Sequence, residues 1–345
     1  GDPVPATTSF YDSFSGAIDI NGGQVAALVT ADDTSSYAVG FPATGLPSRL
    51  AASVGASNVN AGNEFSLFGT SLSVGANGTV TVGGITGSSS GNVATGLYAV
   101  DVAGSSLTPQ VTNGDTPPEE SRPFGFFAIS SGAAADGRVA FRGNVSGAEE
   151  AVFIRQADAT LDQITPISTR GGTYSVPVIS SSGAAAYLDR SGGDTALKLY
   201  ANGIAHTLVT DAPVAPDGSE FVLPSSLFSS LQPIAIDGND VVFFANTDNG
   251  TAGLYLAQAG DIAALIQSGD TLDDKTVVAF AFESSGFSQG RVAFTAVFSD
   301  NTTGSYLISN ISEPLGLVGD YNGNGEVDAA DYTIWADNFN ATVNP

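Results

Sequence analysis

One stretch of 12 residues near the C-terminus, Asp320 to Asp331, carries the densest chemistry in the sequence. Counted from Asp320, oxygen-bearing side chains fall at positions 1, 3, 5, 9 and 12, as Asp320, Asn322, Asn324, Asp328 and Asp331, with Gly325 at position 6. A hard cation such as Ca2+ takes six to eight oxygen ligands, and short Asp and Asn side chains on a loop sharply bent at a glycine crowd them together. Glu326 at position 7 adds its backbone carbonyl in this scheme, and Val327 at position 8 points into apolar packing. The spacing therefore predicts one Ca2+ held by Asp320, Asn322, Asn324, Glu326, Asp328 and Asp331.

The remaining candidates are sparser. The single histidine, His206, sits in Ile204-Ala205-His206-Thr207-Leu208, an alternating strand pattern without an acid or serine motif beside it, and reads as a strand residue. Glu119-Glu120 and Glu149-Glu150 are paired carboxylates of the kind glycoside chemistry uses, but their sequence context reads as solvated turns. No nucleophile elbow, phosphate loop or zinc motif is present, so the sequence predicts a body without catalytic activity. Asn77, Asn144, Asn249, Asn301, Asn310 and Asn340 each begin an N-x-S/T sequon and are candidate glycosylation sites.

Charge narrows the partners. There are 35 acidic residues against 10 basic ones, a formal charge of −25, with Lys198 and Lys275 the only lysines. Such a surface repels phosphate backbones and anionic headgroups, which argues against nucleic acid and membrane surfaces and in favour of Ca2+ as counter-ion. Cysteine is absent, which removes disulfides and thiol chemistry. The chain opens Gly1-Asp2-Pro3-Val4-Pro5 and contains no methionine, the expectation for a secreted chain whose signal peptide has been removed. No apolar run reaches the ~18 residues of a membrane span, so insertion is not expected.

The elements that carry these residues follow from composition and period. With 42 glycines and abundant Ser, Thr, Val and Ala, the chain reads as short strands joined by many turns, with little helix. A short apolar strand recurs as Val25-Ala26-Ala27, Val80-Thr81-Val82, Val139-Ala140-Phe141, Ala185-Ala186-Tyr187, Val242-Phe243-Phe244 and Val292-Ala293-Phe294, successive starts lying 46 to 59 residues apart. Gly-Leu-Tyr at Gly96-Leu97-Tyr98 and Gly253-Leu254-Tyr255, with the variant Gly304-Ser305-Tyr306, marks a later strand of the same unit. Four strands per unit at this period predict an all-β fold, a six-bladed β-propeller-like repeat domain over 17–310 whose Val-Ala-Phe strands are buried on both faces. Residues 1–16 form an N-terminal segment, 311–318 a linker and 319–345 the calcium loop with a following helix. The sixth unit is one strand short, and Val4 to Tyr11 is the candidate strand that closes it in cis or is donated to a neighbour.

The stretch Asp320-Tyr321-Asn322-Gly323-Asn324-Gly325 through Asp331-Tyr332 resembles a type I dockerin repeat, an EF-hand-like calcium unit, here as one loop-helix where a dockerin has two. The repeats upstream are similar to secreted bacterial propellers that carry such tails. The resemblance implies calcium binding and a helix after Asp331. On that helix Tyr332, Trp335 and Phe339 fall at i, i+3 and i+7, one aromatic face too short to be stable alone and therefore a candidate interface. The function expected is that of a non-enzymatic secreted structural or adhesive protein, attached by its calcium tail to itself head-to-tail, to an extracellular matrix or to a cell-surface component. The alternative is a carbohydrate-binding or carbohydrate-active propeller with a glycan as partner.

Overall fold

The computed structural model describes residues 11–21, 24–31, 36–42, 48–53, 64–75, 78–86, 94–101, 108–118, 120–128, 137–145, 149–170, 172–210, 214–224, 234–309 and 311. Every regular element among them is a strand. The first sheet has eight: β1 (Tyr11–Asn21), β2 (Gln24–Ala31), β3 (Ser36–Phe41), β4 (Ser48–Ser53), β5 (Glu64–Val74), β6 (Thr79–Thr86), β7 (Ala94–Asp101) and β8 (Thr108–Thr112), in that spatial order. It is two antiparallel runs of four, joined where β4 and β5 pair in parallel at Ala52–Glu64 and Ser53–Phe65. The second sheet holds β9 (Phe124–Ala128), β10 (Val139–Val145), β11 (Glu150–Arg155) and β12 (Leu161–Gln163). The third holds β13 (Val178–Ile179), β14 (Ala185–Asp189), β15 (Ala196–Ala201) and β16 (Ile204–Thr210). In the fourth, β17 (Phe221–Val222) and β18 (Ile234–Asp237) both pair with β19 (Asp240–Thr247), followed by β20 (Ala252–Gln258) and β21 (Asp261–Gln267). The fifth contains β22 (Thr271–Leu272), β23 (Lys275–Ser288), β24 (Arg291–Phe298) and β25 (Thr303–Ile308).

Local chemistry sets the hairpins. Asn202-Gly203, Ala259-Gly260 and Gln289-Gly290 each have both residues at positive φ between directly paired strand ends, the two-residue turn whose twist matches that of the flanking strands. A second turn type recurs as Asp-x-Thr or a close variant. The side-chain oxygen of Asp158, Asp217, Asn249 or Asp300 accepts the backbone N–H two residues on, at 2.9 to 3.0 Å, while the residue between has positive φ. Gly-x-Tyr is explained by close packing. A Cβ on Gly253 would stand 2.6 Å from the Tyr255 ring and one on Gly304 2.8 Å from Tyr306, so each tyrosine lies back over a residue that can have no side chain.

The core is a series of layers between successive sheets. One cluster joins Ala26, Leu28 and Ala38 to Leu72, Val74, Val80 and Val82 across the two halves of the first sheet. Leu97 and Val111 then pack on Phe124, Phe141 and Phe153 of the second sheet, and Val152 and Ile154 on Tyr174 and Tyr187. Val178 and Leu197 meet Phe221, Phe243 and Tyr255 of the fourth sheet, whose opposite face, with Val242 and Leu254, meets Phe282, Phe294 and Phe298 of the fifth. In the fourth of these layers the rings of Phe221 and Tyr255 lie 4.8 Å apart, edge to face. Each fully buried side chain of this size contributes about 1.5–3 kcal/mol.

The recurrent apolar strands behave as expected in all but the last instance. Val80-Thr81-Val82, Val139-Ala140-Phe141 and Ala185-Ala186-Tyr187 are buried on both faces. In Val292-Ala293-Phe294 the valine and phenylalanine are buried and Ala293 is exposed, which corrects the expectation of two-sided burial there. The reason is that the fifth sheet packs on the fourth with one face only.

Candidate functional site

The six residues of the predicted calcium loop, and Tyr332, Trp335 and Phe339 of the aromatic face, lie outside the described residues, as do Asn77, Asn310, Asn340 and the segment 1–10. Among the described residues no group of three or more His, Asp or Glu side chains is placed to hold a metal ion.

The sequons that are described sit in different settings. Asn144 lies within β10, paired with Phe126 on one side and Glu150 on the other. Asn249 is a turn residue: its Oδ1 accepts from the Thr251 N–H at 2.9 Å and the Thr247 hydroxyl at 2.7 Å, and its Nδ2 donates to Asp217 at 3.3 Å. The Asn-Gly-Thr sequence is thus what the turn itself requires. Asn301 is exposed, with φ of 63°, in the turn between β24 and β25. His206 is exposed on β16, the edge strand of the third sheet, opposite Leu199.

The carboxylate pair at 149–150 departs from a solvated turn. Glu149 forms an ion pair with Arg122, which also holds Glu120 at 3.2 Å. Glu150 is 1% exposed at the start of β11. Its Oε1 accepts the backbone N–H groups of Thr173, at 2.6 Å, and Tyr174, at 2.9 Å, on the strand-free approach to the third sheet. Its Oε2 faces Arg142 Nε at 3.9 Å, and the Arg142 guanidinium donates through Nη1 to the Tyr174 carbonyl at 2.7 Å. Burial lowers the affinity of Arg142 for its proton, and the charge of Glu150 opposes that shift. A carboxylate engaged by two backbone donors and an arginine has little capacity left to act as a base, so this constellation is a clasp between two sheets. Sequence reasoning missed it because its parts come from β10, β11 and residues 173–174.

The other feature absent from the sequence reading is the outer face of the fifth sheet. Register places Ala281 beside Thr295 and Ser305, Ala279 beside Val297 and Thr303, and Ala293 beside Leu307. Leu307 is 58% exposed and Val278, at a bulge on the same strand as Ala279, 49%. The opposite face, with Val277, Phe294 and Phe298, is buried against the fourth sheet.

No known family matches the chain, and no curated protein matches it. Solved structures do. The propeller domain of the Trilobed protease from Pyrococcus furiosus, which has an open velcro topology, matches with a TM-score of 0.52 at 10% identity, over 87% of this chain and 83% of that one. Prolyl oligopeptidase B from Galerina marginata matches at 0.49 and 9% identity, over 88% of this chain and 41% of that one. A putative gluconolactonase matches at 0.40 and 13% identity, over 89% and 93%. At these identities the likeness is one of fold. It nevertheless corrects the expectation of a body without catalytic activity: the fold is shared with the propeller domain of a protease, so the missing nucleophile–base motif does not class the chain as a non-enzyme. What the layered antiparallel sheets and this likeness establish together is that the chain is an all-β protein with a β-propeller fold.

Proposed function

We propose that the chain is a secreted, extracellular propeller of six blades that acts through its C-terminal segment. Asp320 to Asp331 binds one Ca2+, and the loaded tail attaches the propeller to an extracellular matrix or cell-surface component, or to a second copy. The observation that carries this reading is the ligand spacing, five oxygen-bearing side chains at 1, 3, 5, 9 and 12 around Gly325. The formal charge of −25 supports it, since a divalent cation lowers the self-repulsion of such a surface. The two four-stranded runs of the first sheet and the four later sheets support the blade count.

Only three of the side-chain ligands, Asp320, Asp328 and Asp331, are carboxylates, which sets the affinity toward the extracellular range, a Kd of ~10⁻⁴ M or a decade tighter. Titration calorimetry with CaCl2 tests the site. The expected result is one binding event that Asp320→Ala abolishes. No heat in the intact chain, or heat unchanged by that substitution, would exclude the loop as the ligand. Particle size measured with calcium and with EGTA tests self-association.

A further inference from the structure

The six sets of strands are joined face to face by five apolar clusters, and none of these clusters joins the last sheet back to the first. Among the described residues the fifth sheet therefore ends the series, with a face on which Val278, Ala279, Ala281, Ala293, Val297 and Leu307 are exposed or half-buried. Two of the five large apolar side chains exposed among the described residues, Val278 and Leu307, lie here. The central rows of this face, Ala281 with Thr295 and Ser305 and Ala279 with Val297 and Thr303, carry no charged side chain, while the exposed Glu283 and Arg291 lie toward the β23–β24 hairpin end. The first sheet of a second copy is a poor mate for it. Ala27, Val29, Tyr37 and Val39, which share the face of the first sheet turned away from the first cluster, are 1% exposed or less and thus already covered.

We propose that this face of the fifth sheet is the seat of this chain's own C-terminal helix, bound in cis through Tyr332, Trp335 and Phe339. The chain leaves the described fold at this sheet: the Ile311 N–H donates to the Gly290 carbonyl at 3.1 Å, in the turn between β23 and β24. Thirty-four residues follow, 312 to 345. The eight residues that precede the calcium loop, 312 to 319, span up to ~26 Å when extended, about the length of an eight-residue strand, so the helix can reach the face with the loop folded. As a helix, residues 329–339 are ~16 Å long, within that strand length. Chemistry matches as well. Three aromatic side chains on one stripe need an apolar surface to be stable as a helix, and a face of Ala, Val and Leu interspersed with the small Thr295, Thr303 and Ser305 accepts large rings between small neighbours. The inference goes beyond the calcium reading and does not depend on it.

Trp335 is the only tryptophan, so the intrinsic fluorescence of the full chain reports its surroundings without a label. The expected result is a blue-shifted emission protected several-fold from acrylamide, unchanged by dilution. Leu307→Asp and Ala293→Asp, each at an exposed position, shift the emission to the red and remove the protection, with far-UV circular dichroism and particle size retained. Ile204→Asp, exposed on the third sheet, leaves the signal as it was. A water-exposed tryptophan at every concentration overturns the proposal. So does protection that appears only as the particle doubles, which makes a second copy the occupant, or protection that survives both face substitutions, which seats the helix elsewhere. Repeating the measurement in EGTA separates the two readings: protection that persists while calorimetry finds no calcium binding leaves the docking in place and removes the calcium site.

Discussion

Removing the carboxylate of Glu150 is the most informative perturbation of the body. Glu150 is 1% exposed and Arg142 6%, so Glu150→Ala removes a buried carboxylate from beside the buried Arg142 guanidinium and leaves the Thr173 and Tyr174 N–H groups without this acceptor. At the observed 3.9 Å and an effective dielectric near 20, the lost attraction is about 4 kcal/mol, within the 3–5 kcal/mol seen when one partner of a buried pair is removed. Glu150→Gln keeps an acceptor for the two amides and loses the charge, so its cost falls between zero and that figure. Combining Glu150→Gln with Arg142→Met, which removes both charges of the pair, is expected to cost less than the two single changes added together. Urea unfolding followed by circular dichroism gives the total. Because a layered protein of this length need not unfold in one step, amide hydrogen exchange at Thr173 and Tyr174 gives the local loss. A loss below about 1 kcal/mol for Glu150→Ala, with unchanged exchange at those two amides, would refute the clasp.

Gly253→Ala places a Cβ 2.6 Å from the Tyr255 ring, which is 0% exposed and fixed by its neighbours, so the substitution is expected to destabilise by about 1–3 kcal/mol in chemical denaturation. Asp300, accepting from the Thr302 hydroxyl and paired with Lys275 Nζ at 2.9 Å, has its carboxyl held down from 3.8 to about 2. A depressed carboxylate contributes stability that is present above 3.8 and lost as pH falls through about 2. The melting temperature of Asp300→Asn should therefore fall less steeply than that of the unmodified chain across this window, and parallel curves would refute the assignment.

Much of the fold was legible because its signals are local. The period of the apolar strands, the Gly-x-Tyr element and the turn residues each act within a few positions: Asn202-Gly203 makes a hairpin and Asp300-Asn301-Thr302 a turn whatever the distant chain does. The proposed calcium loop rests on the same kind of local signal, since all six candidate ligands fall within 12 consecutive residues. Whether the body is catalytic was not legible, because activity depends on side chains brought together from separate blades.

Two features depended on the tertiary structure. Glu150 reads as half of a solvated acidic pair until residues 173 and 174, from the approach to another sheet, close over it with Arg142 beneath. The sequence by itself determined that Val292-Ala293-Phe294 is a strand, like the five segments it resembles, because strand formation follows from residue type and alternation. Only the tertiary structure decided that Ala293 faces away from the fourth sheet, because two-sided burial requires a sheet on either side, and among the described residues the series of clusters ends at this one.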